Sequence, residues 1–263
     1  MILILLLGLI LLMFSIVGIR RFINTQKFKI RSEAGVEITD YITIGGIEQY
    51  IQIRGQDISN PIIIVLHGGP GNNMAYYSYC WQADLERDYT FVHWDQRGCG
   101  NTYYRNKEAE KPDLDLLLSD LDQLVDYVCA KYNKENVIIM GHSWGTFLGG
   151  IYACKHPGKV SAYVGIGLFN NSWKSEKYAV EEALRLANAA GKNDDAKKIE
   201  EQFQLVSSNK KLNMREILKL RQLTGRYLPS GENTGFSVRL FSPFMTFNDL
   251  RWFLSPILSF NKF

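Results

Sequence analysis

Histidine is scarce in this chain, with four residues in 263, and cysteine is no more frequent. Cys80, Cys99, Cys129 and Cys154 are scattered, with no Cys-x-x-Cys pair and no grouping with histidine. That spacing excludes a zinc-ribbon or disulfide framework, so reduced, mostly buried thiols are expected, with no metal and no cofactor. Excess charge is also small: 30 Lys and Arg against 27 Asp and Glu give a formal net charge of +3. Part of that excess lies in one short N-terminal cluster, so composition gives no case for nucleic-acid binding. No Gly-x-Gly-x-x-Gly occurs and no Walker lysine follows a glycine-rich loop, which removes the usual phosphate cradles. Internal repeats and low-complexity tracts are missing too. The length suits one α/β domain with a cap and an anchor.

What is present begins with an apolar N-terminus. Met1 to Ile19 is apolar except for Gly8, Ser15 and Gly18. As a helix it would span about 28 Å, close to the hydrocarbon thickness of a bilayer. Arg20, Arg21, Lys27, Lys29 and Arg31 come next, with no acid before Glu33. A secretory signal places positive charge before its apolar core and a small-residue cleavage site after it. Neither is clear here, so a retained single-pass anchor is expected over 1–20, followed by a basic linker over 21–34. A cleaved signal and a buried helix are the alternatives. The basic cluster on the C-terminal side favours a cytoplasmic location for the rest of the chain and suits anionic lipid.

Downstream, short β-branched runs alternate with helical patterns. Val36–Ile44 and Gln49–Ile53 read as a hairpin turning at Gly45-Gly46. Runs at 61–66, 89–93, 137–140 and 160–166 read as buried strands. Met74–Arg87 and Leu114–Tyr132 are expected as crossover helices. On the second, Leu117, Leu121, Leu124, Val125 and Val128 recur at steps of three and four, which leaves Asp120, Asp122 and Asp126 facing water. Strands and helices in alternation imply a mostly parallel sheet covered on both faces.

Three motifs stand at the ends of these strands. Gly141-His142-Ser143-Trp144-Gly145 lies between a strand and a helical pattern, the context of a nucleophile elbow that presents Ser143. Gly141 and Gly145 are needed because a side chain at either would collide across the tight turn. His67-Gly68-Gly69-Pro70-Gly71 follows another strand and exposes backbone N–H groups. In this architecture one of them completes an oxyanion hole with the N–H of the residue after the serine, Trp144. Gly69 is the first choice for that donor and Gly68 the second. Trp94-Asp95-Gln96-Arg97-Gly98-Cys99-Gly100-Asn101-Thr102 follows a third strand. Asp95 and Arg97 are expected to fix this loop by hydrogen bonds and a charge pair rather than to do chemistry.

The three motifs, in this order, resemble the α/β-hydrolase fold in its proline iminopeptidase branch, and Tyr163-Val164-Gly165-Ile166-Gly167 is also similar to that branch. The resemblance covers roughly residues 35 to 225. It implies a serine hydrolase that cuts an N-terminal residue, often proline, from small peptides through an acyl-enzyme on Ser143; with the N-terminal segment, the expectation is a membrane-anchored aminopeptidase. An esterase, amidase or thioesterase of the same fold and a non-catalytic relative are the alternatives. Members of the branch carry a Trp-Ser-x-Trp-Glu cap segment whose glutamate holds the substrate amine; none is found here, and Glu232 is a weak substitute. Carboxylate-nucleophile chemistries such as epoxide hydrolysis are disfavoured by the serine.

In this fold the acid and the histidine come after the serine along the chain. The only later histidine is His156, thirteen positions on and about 20 Å away along a helix. It is read as structural. His142 should point away from the serine, His93 lies further out, and His67 sits nearest. Asp249 is assigned to the cap rather than to a strand end. The expected organisation is an anchor, the linker, a hydrolase core over 35–170 and a helical cap over 171–263, with the last sheet strands missing. These residues alone are then expected to show little or no hydrolase activity. Tyr178, Val180, Leu184 and Leu186, then Ile199, Phe203 and Val206, give the cap helices a core, and Tyr178 and Trp173 are assigned to it in preference to a substrate entrance.

Overall fold

The structure is a computed structural model, and it describes residues 1–168, 171–208, 214–229 and 235–254. In chain order the elements are α1 (Ile2–Lys27), β1 (Val36–Ile44), β2 (Ile47–Gly55), β3 (Ile62–Leu66), β4 (Thr90–Trp94), α2 (Gly100–Arg105), α3 (Leu114–Tyr132), β5 (Val137–His142), α4 (Trp144–Lys155) and β6 (Val160–Ile166). They continue with α5 (Ser172–Ala189), α6 (Asn193–Ser208), α7 (Met214–Thr224), α8 (Phe236–Leu240) and α9 (Phe247–Phe253). Contacts divide the chain into two units, Met1–Phe169 with Gly235–Phe263, and Asn170–Thr234.

The first unit is built on one six-stranded sheet in the order β1-β2-β4-β3-β5-β6. The β1–β2 and β2–β4 pairings are antiparallel; β4–β3, β3–β5 and β5–β6 are parallel. The hairpin turns at Gly45 and Gly46, both at positive φ, as the two glycines predict. Every residue of β3 and β4 is buried, as expected of strands covered on both faces. On one face Ile62, Ile64, Val92 and Trp94 pack with Leu117, Leu121 and Leu124 of α3 and Leu148 of α4. On the other, Ile63, Val65 and Phe91 form a second cluster with Trp81 and Met140. Leu121, Leu124, Val125 and Val128 are fully buried, each burial contributing about 1.5–3 kcal/mol. Helix α3 begins where the Asp113 carboxylate accepts from the Leu116 N–H at 2.8 Å, and it ends at Asn133 in the left-handed region.

Several expectations change. Met74–Arg87 is not one helix but two short 3-10 segments, Ala75–Cys80 and Leu85–Arg87. The Ser78 hydroxyl donates to the Ala75 carbonyl at 2.9 Å, competing with a continuous ladder. Gln82 and Glu86 are buried and committed to His93 and Arg54. Asp120 does not face water: it is completely buried, whereas Asp126 is exposed and Asp122 half-buried. Of the cysteines, all free, only Cys99 is buried; Cys80 and Cys154 are exposed.

Helix α1 runs to Lys27, past the expected anchor, so Arg21 and Lys27, expected in the linker, are helical. It is long and apolar enough to cross a membrane, and its apolar window is not buried by protein. Its last turns are tied down by side chains. The Asn24 amide donates to the Phe241 carbonyl at 2.8 Å, and the Arg21 guanidinium donates to the Met245 carbonyl.

The segment from Gly235 to Leu254, expected in the cap, belongs to the first unit. Buried polar anchors explain this. Tyr79 donates to the Val238 carbonyl at 2.7 Å, the Ser242 hydroxyl donates to the Tyr76 carbonyl, and the Trp252 indole N–H donates to the Gly71 carbonyl at 2.7 Å. After β6 the described residues contain no further strand. Among the described residues β6 is an edge of the sheet, and Tyr163, Val164 and Ile166 on it are exposed.

The second unit has its own small core. Val180, Ala183, Ile199 and Leu220 are buried, with Leu184, Phe203 and Val206 packed against them. Arg221 donates to Glu176 at 2.6 Å, joining α7 to α5. Trp173 stacks on Phe203 at 5.5 Å, but Trp173 and Tyr178 are 45% and 61% exposed, so the core assignment holds for neither. Glu232 lies outside the described residues.

Candidate functional site

Ser143 joins the end of β5 to the start of α4 with φ 49° and ψ −115°. A non-glycine residue at positive φ costs about 1–2 kcal/mol, so the surroundings must hold it there. They do so from both sides: the Ser143 N–H donates to the Ile166 carbonyl of β6 at 2.9 Å, and its carbonyl accepts from the Thr146 N–H at 2.8 Å and hydroxyl at 2.6 Å. A β-carbon on Gly145 would lie far inside contact with the Leu66 carbonyl of β3, which is backbone and cannot yield cheaply. Gly145→Ala is therefore expected to cost several kcal/mol and to give insoluble or unfolded protein, read by circular dichroism and solubility.

The loop 67–71 presses on this elbow. A β-carbon on Gly68 would lie 2.9 Å from His142 Nδ1 and 3.3 Å from the Ser143 β-carbon, whereas one on Gly69 would meet the amides of Gly71 and Asn72 in its own loop. Gly68 is thus the glycine in closest approach to the serine. Gly69 holds the turn at φ 118°. Trp144 is the first residue of α4, at the positive end of the helix dipole. Its buried indole N–H has no hydrogen-bond partner among the described residues.

Three of the four histidines have partners away from Ser143. The Gln96 N–H donates to His67 Nε2 at 3.3 Å, which leaves Nδ1 as the protonated nitrogen facing the Gly68 carbonyl at 2.9 Å. Burial pulls the His67 pKa down to about 4. His93 Nε2 lies 2.6 Å from Gln82 Oε1. His156 ends α4, stacked on Tyr152 at 4.5 Å and 3.6 Å from Asp122, in agreement with a structural role. Among the described residues no histidine hydrogen-bonds the Ser143 hydroxyl, and His142 Nδ1 is buried without a partner.

The third motif is a buried scaffold, and Asp95 and Arg97 do not pair with each other. Arg97 instead grips Asp120 of α3, Nε to Oδ2 at 2.8 Å and Nη2 to Oδ1 at 3.0 Å. Gln49 adds a donor to Asp120 Oδ2 at 2.7 Å, and Arg97 also donates to the Gly45 carbonyl at 2.8 Å. Asp95 faces Asp249 of α9. Asn101 donates from its side chain to Asp95 at 3.0 Å and to Asp249 at 2.9 Å, and from its backbone to Asp95 at 2.8 Å. Asn73, at the end of the glycine loop, donates to Asp249 at 2.7 Å. Burial, then mutual repulsion, pushes Asp95 up to about 8, and burial raises Asp249 as well. One hydrogen-bonded cluster thus holds the glycine loop, the third-motif loop and α9 together. The sequence carried only one local sign of it, Thr246 followed three residues later by Asp249, which forms a capping box.

Residues 61–212 match the alpha/beta hydrolase fold family. The chain is 29% identical over 160 residues to "Probable aminopeptidase YbaC" of Bacillus subtilis (strain 168), covering 61% of this chain and 50% of that protein. It is 34% identical over 105 residues to a proline iminopeptidase of Heyndrickxia coagulans, covering 39% and 33%. Among solved structures it is similar to a proline iminopeptidase-related protein from Thermus thermophilus, at 23% identity with a TM-score of 0.45, covering 58% of this chain and 51% of that one. The chain spans about half the length, or less, of these curated relatives. The family match takes in the glycine loop, the third motif and the elbow and extends over more than half of the sequence, and on that ground this chain belongs to the alpha/beta hydrolase fold family.

Proposed function

We propose that Ser143 is the nucleophile of a membrane-anchored serine hydrolase acting on small peptides in the manner of an aminopeptidase. The observation that carries this reading is the backbone of Ser143, held at positive φ between β5 and the N-terminus of α4. Such a turn stands a hydroxyl at the sheet edge, where an acyl carbonyl can approach. In this reading Ser143 attacks the carbonyl, and the amide of Trp144 and one from Gly69 or Gly68 hold the oxyanion. One such donor is typically worth about 3 kcal/mol of transition-state stabilisation. His67, Asp95 and Arg97 shape the loops. His67 and His93 are hydrogen-bonded elsewhere and His156 ends α4, so no general base for Ser143 is assigned among the described residues. Residues 1–20 are the single-pass anchor, 35–170 the core with α8 and α9 joined to it, and α5, α6 and α7 the cap. The basic residues after the apolar stretch support a cytoplasmic active site. Peptidase specificity rests on the named relatives; ester, thioester or amide substrates remain the competing class.

The test is fluorophosphonate labelling of membranes from the native source, with Ser143→Ala as the control. A labelled band lost in Ser143→Ala is the expected result. Labelling that survives the substitution, or no labelling at all, overturns the assignment. Turnover of a free-amine prolyl anilide at least tenfold faster than its N-acetyl form supports the aminopeptidase. The reverse preference moves the protein to the esterase class.

A further inference from the structure

We propose that α8 lies at the membrane interface beside α1 and that the two hold one anionic phospholipid, its acyl chain running down between their apolar side chains and its phosphate on Arg239. This rests on the reading of α1 as a membrane anchor. A groove of about 200 Å³ runs between Leu9, Leu12, Met13 and Ile16 of α1 and Leu240 with Phe241 at the end of α8. Those α1 residues precede Arg20 by four to eleven positions, about 6 to 16 Å along the helix axis. In a spanning helix that depth is hydrocarbon, not headgroup, so the medium that fills the groove is an acyl chain.

A second, independent feature gives the chemistry of the head. Arg239 immediately precedes Leu240, and its Nε is buried with no hydrogen-bond partner among the described residues. Its guanidinium lies 4.3 Å above the Phe253 ring. A buried guanidinium N–H without an acceptor costs free energy, and a phosphate matches its planar fork. Phe236, Phe247 and Leu254 in the same segment are exposed by 58%, 72% and 66%. Large apolar side chains flanking a cation are the composition of a segment lying in a lipid interface. The hydrogen bonds from Arg21 and Asn24 to the Met245 and Phe241 carbonyls keep this segment against α1.

The experiment reconstitutes the full chain into bilayers of phosphatidylglycerol carrying a diazirine on the acyl chain, with phosphatidylcholine as the comparison. After photolysis, labelled peptides are located by mass spectrometry. Label is expected on residues 9–16 and on Leu240 and Phe241. Arg239→Gln should lower phosphatidylglycerol labelling at 240–241 roughly fivefold and leave labelling of α1 unchanged. Label on α1 with 240–241 bare leaves the anchor standing and overturns the lipid site. Equal labelling by the two lipids, or by Arg239→Gln and wild type, overturns the assignment of the phosphate to Arg239. A chain that alkaline carbonate extracts and whose α1 carries no label overturns the anchor itself, and the lipid site with it.

Discussion

Asp120→Ala is expected to remove about 3–5 kcal/mol of stability, a large part of the 5–15 kcal/mol that holds a typical domain. The loss does not measure the attraction between Arg97 and Asp120. It comes from what remains: a guanidinium with 3% side-chain exposure and no carboxylate, and a Gln49 amide that loses its acceptor at 2.7 Å and keeps only the Ile44 carbonyl at 3.2 Å. Trp94 donates to Gln49 at 2.7 Å and Arg97 donates to the Gly45 carbonyl at 2.8 Å. The damage therefore spreads from α3 to β4, β2 and the turn of the hairpin. Urea unfolding should show a lower midpoint. The double replacement Arg97→Met with Asp120→Leu, which leaves no buried charge, should recover most of the loss. A single variant as stable as wild type would mean that Arg97 finds water or another acceptor.

The second large effect is a dependence on pH centred on Asp95. Its pKa is raised from the ordinary 3.8 to about 8 by burial and by Asp249, so the folded chain keeps a proton that the unfolded chain has lost. Stability from this group is fully present below about pH 4 and falls as pH rises toward 8, with a slope approaching 1.4 kcal/mol per pH unit. Beyond Asp249, the groups that act on Asp95 are the Asn101 and Asn73 hydrogen bonds, which lower its pKa and do not offset the burial. Asn101 and Asn73 donate to Asp95 Oδ2, which leaves Oδ1 as the oxygen to carry the proton. Asp95→Asn places an amide where the protonated carboxyl stands. Urea midpoints between pH 5 and 8.5 should fall for wild type and stay nearly level for Asp95→Asn. Parallel pH profiles would show that Asp95 is ionised in the native state.

The sheet and the elbow were legible because their signals are local. Helix α3 is read to the residue, since the apolar spacing that marks Leu114–Tyr132 lies within one stretch of chain. Ser143 is legible for the same reason: a strand, two glycines and a helix are contiguous. What escaped depends on partners far away in sequence. Asp120 sits on a helix among other acids and reads as solvent-facing until Arg97, 23 residues earlier, is seen to reach it. Asp249 meets Asn101 across 148 positions. The 74–87 segment misleads differently. Its aromatic residues recur as on a helix, but Tyr76 and Tyr79 are buried by 3-10 geometry, and the polar side chains between them are bound outside the segment's own ladder.

The amide of Ser143 hangs from the carbonyl of Ile166, the last residue of the edge strand. Edge strands with exposed faces open more readily than central ones, and they open in local steps that leave the rest of the fold intact. Each time the end of β6 frays, the serine loses the tether that helps keep its backbone in a disfavoured conformation, and it can relax toward an ordinary turn. The positive-φ geometry of Ser143 is then expected to follow the protection of β6 rather than the stability of the whole unit. A molecule that covers this strand would sharpen the elbow without touching it, and slowed hydrogen exchange at the Ser143 amide would register the gain.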